Sequence, residues 1–490
     1  MKTIGVDIGG TNTDAVLVGQ DGKVLQECKT LTTEDVITGV KNALNKITEG
    51  ANIEDIGAVM IGTTHFINAV IQRKHLEKTA TIRVAAPTSI SLYPTCDWPD
   101  DLAETIQGGY YIVQGGHEFS GFEIMPFDDD EVRDVARKIK ASGVRCVCVS
   151  SPFSTIRKDH ELRARDIVLE EIPDALVSIS SDLGKVGLLE RENVAILNSC
   201  LLPLAEKTII SFENALKEIN LDVPLYITQN DGTITTAENA RTRPVSSFAS
   251  GPTNSMRGAV FLSGVKDAVV CDVGGTTSDL GVVVNGFPRE ANNVVEVGGV
   301  RTLFRMPDLF SIALGGGTMV HDDNTVGPLS VAYKVLEKSM TCGGDTLTTT
   351  DIMVATGKLD IGDKSKLNVS QDRIDAILAN IKEMISEAVD QVKSDNKEVP
   401  LLAVGGGACL VPDEIEGISK VIQVPSAGVA NAVGAAMAQV SGYTDCIIQD
   451  MTRENAIAKA TEYANEDAVS KGADPATLEV VEVEDAPLTY

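Results

Sequence analysis

The sequence predicts an α/β fold made of two similar halves. One ground is a repeat: the octapeptide DIGGTNTD, Asp7 to Asp14, returns as DVGGTTSD, Asp272 to Asp279. A second is the alternation of helical and extended patterns between Asp128 and Ile179, which implies strands with helices packed against them. The third is length, since 490 residues exceed what one hydrophobic core supports and call for two or three domains.

The apolar runs 3–7 and 15–19 flank the first octapeptide, Asp21-Gly22 marks a hairpin turn, a third strand runs to Thr30 and a helix covers about 34–49. A strand at 57–61 leads into GTTHFINAVIQRK. Residues 88–127, rich in Gly, Pro and aromatics, break the pattern and read as an insertion or lid. A helix, a strand (144–150), a helix (158–171) and a strand (175–179) then close a first domain, 1–183. The long helical stretch 187–219, with Pro203 as a kink or break, hands the chain to a second domain, 184–445, opening on the strand VPLYITQNDG. Asn285-Gly286 is another hairpin turn, so the unit of residues 4–22 recurs at 269–286. A spacing of 265 positions is too long for a solenoid period and suits internal duplication. Residues 446–490 read as a helix, about 453–471, and a short strand, LEVVEVED, packing on the body.

Seventy acidic against 42 basic residues, a net charge of -28, disfavour nucleic acid or an anionic membrane as partner, because both need clustered Lys and Arg. No apolar run approaches the roughly 20 residues that span a bilayer, and the amino terminus enters a strand pattern at once, so a cytoplasmic location is expected. Of nine cysteines only Cys146 and Cys148 are close, alternating with valines; buried reduced thiols are favoured over a redox or metal pair.

In each octapeptide a strand delivers an aspartate to its end and two glycines let the backbone turn sharply. Successive N–H groups can then face a phosphate without Cβ atoms in the way. In the first copy the phosphate-side residues are Gly9, Gly10, Thr11, Asn12 and Thr13, and in the second Gly274, Gly275, Thr276 and Thr277. A carboxylate beside phosphates is repelled unless it holds Mg2+ or orients an attacking group, so Asp7 and Asp272 are both the metal and the catalytic candidates. Two such hairpins facing across a cleft can grip the β- and γ-phosphates of ATP, as phosphoryl transfer requires. The expected architecture is therefore α/β of the actin-like ATPase (ribonuclease-H-like) type, duplicated domains around an interdomain nucleotide cleft. The sequence holds no GxxxxGK[ST], and the first hairpin lacks the helix and acidic residue of a dinucleotide site.

Gly405, Gly406 and Gly407, at the end of an apolar strand, either back an adenine or ribose or make a plain strand-to-helix turn. A second triplet, Gly315 to Gly317, precedes His321, Asp322 and Asp323, where an exposed polar turn is favoured over a metal site. His65 in GTTHFINAVIQRK has a general acid or base role open to it, with a surface or core histidine the favoured reading.

Taken together, GVDIGGTNTD, IGTTHFINAVIQRK, KVGLLERENVAILN, the QNDG segment followed by SGP, DVGGTTSDLGVV, ALGGGTMV with VGPLS, AVGGGA and the terminal VEVEDAPLTY resemble the hydantoinase/oxoprolinase family, specifically its ATP-binding A-type subunit. That subunit also occurs in ATP-dependent lactamases and acetone-carboxylase-like enzymes. The resemblance implies ATP- and Mg2+-dependent opening of a cyclic amide (a hydantoin, 5-oxoproline or another lactam), by phosphorylation of the amide carbonyl before water attacks. It also implies a separately encoded partner subunit and a homo- or hetero-oligomer. The two hairpins match the family's phosphate loops and Gly405 to Gly407 its nucleoside loop. Glu190, Arg191 and Glu192 match its ERE helix, and Asp231 its polar loop before the turn Ser250, Gly251 and Pro252, which makes Asp231 a third catalytic candidate. Helix-end ion pairing and turn formation remain equal readings of these last residues. Asn12 stands where many relatives carry Phe, the chain corresponds to a short form ending where longer relatives continue, and residues 88–127 depart from the family pattern. A small-molecule kinase and an ATP-driven reactivating chaperone are the rival readings.

Overall fold

The computed structural model describes residues 1–490 except 10–11, 32–35, 292–293, 449 and 486–490. Strands β1 (Lys2–Ile8), β2 (Asn12–Val18) and β3 (Val24–Leu31) form an antiparallel meander, and helix α1 (Val36–Thr48) packs beneath it. Val40, Ala43, Leu44 and Ile47 recur at helical spacing and give α1 its buried face. Strand β4 (Ile56–Thr63) adds in parallel beside β1, and helix α2 (His65–Gln72) follows it.

The chain then leaves this sheet. Strands β5 (Thr79–Ala86) and β6 (Gln107–Gln114), helix α3 (Asp129–Ser142), strand β7 (Cys146–Ser150), helix α4 (Asp159–Glu171) and strand β8 (Leu176–Ile179) build a separate parallel sheet of order β6-β5-β7-β8. The expected lid at 88–127 therefore contributes β6 to this inserted layer. Val147 and Val149 face its own core, and Cys148 faces the long helix that follows. Cys146 and Cys148 are free and buried, and burial pushes both thiols up, Cys146 to about 12.

Helix α5 (Leu188–Glu218) is one continuous 31-residue helix with Pro203 inside it, neither ended nor divided there. By length and hydropathy it could cross a membrane, contrary to the sequence expectation, but 72% of its apolar window is buried within the fold. It returns the chain to the first sheet. Strand β9 (Leu225–Thr228) pairs in parallel with β4, Val59 opposite Leu225 and Ile61 opposite Ile227, and β10 (Ile234–Thr236) closes the edge. The strand expected to open a second domain thus completes the first sheet, and a boundary at 183 falls inside one structural unit. The cause is the inserted layer, whose own βαβ pattern reads in sequence as the continuation of the first sheet.

Helix α6 (Ser250–Ser263) leads into the second half: β11 (Ala268–Val273), β12 (Ser278–Val284), β13 (Phe287–Pro288), β14 (Leu309–Ile312), helix α7 (Gln371–Val392), β15 (Val399–Val404), β16 (Ile418–Gln423) and helix α8 (Ala430–Met437). Its sheet repeats the first. β11 and β12 are antiparallel like β1 and β2, β15 and β16 stand in parallel where β4 and β9 stand, and β13 with β14 flanks β12 as β3 flanks β2. Asn285 and Gly286 both take positive φ, 52° and 85°, as a tight two-residue hairpin requires. This is the duplicated actin-like arrangement.

After helix α9 (Arg453–Ser470) the segment 478–485 forms no strand, contrary to expectation, and Val480, Val481 and Val483 stay exposed. The terminal residues 486–490, part of the family-like ending, lie outside the described residues.

The halves meet where α6 and α8 cross. A Cβ on Gly258 would lie 1.8 Å from the Ala430 carbonyl oxygen, and one on Gly434 would lie 1.8 Å from that of Asn254. The contact is reciprocal, as duplication demands. Gly258→Ala or Gly434→Ala is expected to cost about 2–3 kcal/mol and lower the melting temperature, because neither backbone can yield to an inserted methyl. Gly428→Ala, where an added Cβ meets nothing within 4 Å, is the control expected to show no change.

Candidate functional site

The two octapeptides form hairpins in identical register, Asp7 opposite Asp14 and Asp272 opposite Asp279. The Gly9 N–H donates to Asn12 O at 3.0 Å, and the Gly274 N–H to Thr277 O at 2.9 Å. Both glycines therefore use their N–H groups to close the turn, not to face a ligand as expected. Gly10 and Thr11, at the first turn, lie outside the described residues, while Asn12 is half-buried and Thr13 buried. In the second hairpin Gly275, Thr276 and Thr277 are exposed, and the N–H groups of Gly275 and Thr276 make no hydrogen bond among the described residues.

Helices α6 and α8 bring the hairpins together. Asn254 on α6 donates to Asp7 Oδ1 at 3.0 Å, and Asn431 on α8 lies 3.0 Å from both Asp7 Oδ2 and Asp14 Oδ2. Lys29 pairs with the other oxygen of Asp14 at 3.1 Å, and the Ser255 side chain on α6 stands near enough to Asp272 to favour its ionised form. Burial lifts the Asp7 and Asp272 carboxyls to about 6 each. Asp272 is raised further by Asp279, Asp7 and Asp14, so the two hairpins share one electrostatic cluster. Four carboxylates against Lys29 make a site suited to a divalent cation.

Glycines let backbone reach these carboxylates. A Cβ on Gly62, paired with Asp7 across β1 and β4, would lie 2.5 Å from Asp7 Oδ1, and one on Gly405 would lie 2.3 Å from Asp272 Oδ1. Gly405 has φ +87°, and Gly407 donates to Val273 O at 2.8 Å, so the triplet 405–407 wraps the end of β11 beside Asp272. Gly406 is exposed with open space where a Cβ would stand, as at Gly275. These open faces and the acidic surplus fit a Mg2+-nucleotide.

Residues 3–172 match the hydantoinase/oxoprolinase N-terminal region and residues 191–366 match hydantoinase/oxoprolinase. The chain belongs to the hydantoinase/oxoprolinase family. The caprolactamase subunit alpha of Pseudomonas jessenii is 25% identical over 79% of this chain, and the acetone carboxylase beta subunit of Xanthobacter autotrophicus is 25% identical over 80%. This chain spans 59% of the length of each. The crystal structure of ATP-dependent caprolactamase from P. jessenii shares the fold at a TM-score of 0.78, covering 96% of this chain and 77% of that one at 20% identity.

Other family-like residues fall elsewhere in the structure. Asp231 accepts from the Thr233 N–H at 3.0 Å and pairs with Arg305 at 3.1 Å; no hydrogen bond joins it to either hairpin among the described residues. In the ERE segment Glu190 meets Arg301, while Arg191 donates to Ser180 and to Ser151 O. Glu192 is fully buried with Arg83, whose Nε donates to it at 2.8 Å, so this family segment ties α5 to the inserted sheet. Ser250, Gly251 and Pro252 begin α6 and so set the position of Asn254; the Ser250 hydroxyl donates to Thr63 O at 3.2 Å. His65 opens α2 directly after β4, and burial, with the charges of His75 and Lys207, lowers the proton affinity of its ring. The His321 ring lies 3.1 Å from Gly327 O, Asp323 caps Thr325 and Asp322 is fully exposed, so the turn reading holds there.

Sequence reasoning missed Asn254, Asn431, Gly62 and the true role of Gly315 to Gly317. The N–H groups of Gly316 and Gly317 donate to the carbonyls of Gly274 and Gly275 at 3.0 and 2.7 Å, which fastens the second hairpin from beneath. For Asn431 a signal existed, a polar residue in the otherwise apolar run AGVANAVGAAMA.

The raised Asp272 carboxyl has a consequence for stability. Its proton is held more tightly in the folded chain than at the ordinary value of 3.8, so ionising it disfavours folding. That penalty, on the order of 3 kcal/mol, is absent below about pH 4 and complete above about pH 6. Asp272→Asn is therefore expected to melt above wild type at pH 7.5 without nucleotide, the difference vanishing toward pH 4. Equal melting temperatures at pH 7.5 would contradict this.

Proposed function

We propose that this chain is the ATP-binding subunit of an enzyme that opens a cyclic amide. The observation that supports this reading is the pair of register-matched hairpins converging their carboxylates on one cluster, in a chain of the hydantoinase/oxoprolinase family. ATP supplies the activating phosphoryl group, which turns the amide oxygen into part of a phosphate leaving group, and Mg2+ supplies charge neutralisation.

Asp7 and Asp272 hold the cation, and Asn254, Asn431 and Ser255 fix the two carboxylates from α6 and α8. Gly275, Thr276 and Thr277 present N–H and hydroxyl donors to phosphate, a role Gly10, Thr11 and Asn12 share from the first hairpin, whereas Thr13 is buried within β2 and has no phosphate-facing role. Gly406, at the centre of the 405–407 triplet, presents open backbone to the nucleoside beside Asp272, while Gly405 and Gly407 fold the triplet against the end of β11. Asp231 falls to a positioning role through Arg305. The relatives are named as subunits of larger enzymes, which supports assembly with a separately encoded partner.

The test is ADP release by the purified chain over a panel of lactams and hydantoins, with and without the partner subunit, with the organic product identified. Release coupled to ring opening is expected. Asp7→Ala and Asp272→Ala should each lower it by a factor of about 1,000 or more while the chain stays folded. A stable phosphorylated product with the ring intact would instead support a small-molecule kinase, and full turnover in either variant would contradict the site.

A further inference from the structure

The inserted layer carries a second constellation, remote in sequence from the hairpins. Past the end of β6 the chain makes a tight turn in which His117 bridges to Glu123, and α4 opens with Asp159 and His160. One ligand atom from each of these four side chains lies within 4.8 Å of the others. The His117 and His160 ring centroids lie 4.2 Å apart, with their planes tilted by 40°.

His117 is the anomaly in this group. It has no exposed surface, and neither ring nitrogen has a hydrogen-bond partner among the described residues. A buried imidazole is ordinarily satisfied through at least one nitrogen. Its Nε2 lies 3.4 Å from Asp159 Oδ1 without a hydrogen bond, while Arg157 holds the other oxygen of Asp159 at 2.7 Å. The free oxygen of Asp159 thus faces the free nitrogen of His117.

His160 has a different task. The Gly116 N–H donates to its Nδ1 at 3.0 Å, so a neutral ring carries its proton on Nε2, the atom 3.8 Å from Glu123 Oε1. It can steady that carboxylate but cannot offer Nε2 to a cation without giving up Gly116. Burial lowers the proton affinity of both rings, consistent with a neutral His117 able to donate its lone pair.

We propose that His117, Glu123 and Asp159 form a binding site for a first-row divalent cation, Zn2+ above all, with His160 as the positioning residue for Glu123. One imidazole nitrogen and two carboxylate oxygens suit such an ion. A wholly hard cation such as Mg2+ or Ca2+ prefers oxygen alone. The carboxylates are about half exposed, so remaining coordination positions open to water. Bound there, the ion fastens the 116–124 turn to the start of α4 and satisfies the buried ring.

The test uses the full chain, stripped with chelator and titrated with Co2+ in excess Mg2+ and without nucleotide, followed by visible absorption and displacement by Zn2+. One equivalent of Co2+, displaced by Zn2+ and raising the melting temperature, is expected. Glu123→Gln and Asp159→Asn should each weaken binding by roughly tenfold to a hundredfold, and Asp272→Asn should leave it unchanged. His117→Ala should abolish it; should that variant fail to fold, the two partly exposed carboxylate variants decide. Absence of a Co2+ spectrum, or binding that both carboxylate variants retain in full, would overturn the assignment.

Discussion

At Gly258 and Gly434 the backbones of α6 and α8 approach so closely that neither position can carry a side chain, and this crossing sets the place of both hairpins. Each helix follows the last strand of its own half's sheet and carries a polar residue to an aspartate: Asn431 on α8 to Asp7, Ser255 on α6 to Asp272. Asn254 on α6 adds a second contact to Asp7. The aspartates therefore meet because two glycines allow the helices to meet. Packing and chemistry are the same constraint seen at two scales.

What the crossing assembles is electrostatically costly. Burial and mutual repulsion raise the proton affinity of Asp7 and Asp272, and each carboxylate is flanked by a glycine that no larger residue could replace without striking it. A divalent cation bound among these carboxylates would relieve that cost. The amide donors and Lys29 offset part of the charge and leave the remainder available to a ligand.

The duplicated α/β fold was legible because its evidence is local: an eight-residue repeat, apolar runs of strand length, and Asn285-Gly286 between them. The domain boundary was not, because β9 joins β4 across some 160 residues of inserted structure and nothing in VPLYITQNDG says which sheet it completes. The two hairpin aspartates were legible as types at the ends of strands. Their partners were not, since Asn254 and Asn431 reach Asp7 only through a helix crossing that has no sequence period. The triplet Gly315 to Gly317 was noticed for its composition, but its task of bracing the second hairpin depends on a contact made some 40 residues away in the chain.

On the proposed function, the two hairpins hold one metal-nucleotide between them. Mn2+ electron paramagnetic resonance of the chain with a non-hydrolysable ATP analogue tests it most directly, because coupling to 31P identifies the ion that touches the phosphates. A single phosphate-coupled Mn2+ is expected, and it should disappear in Asp7→Asn and in Asp272→Asn alike. Persistence of the same coupled signal in both variants would contradict it.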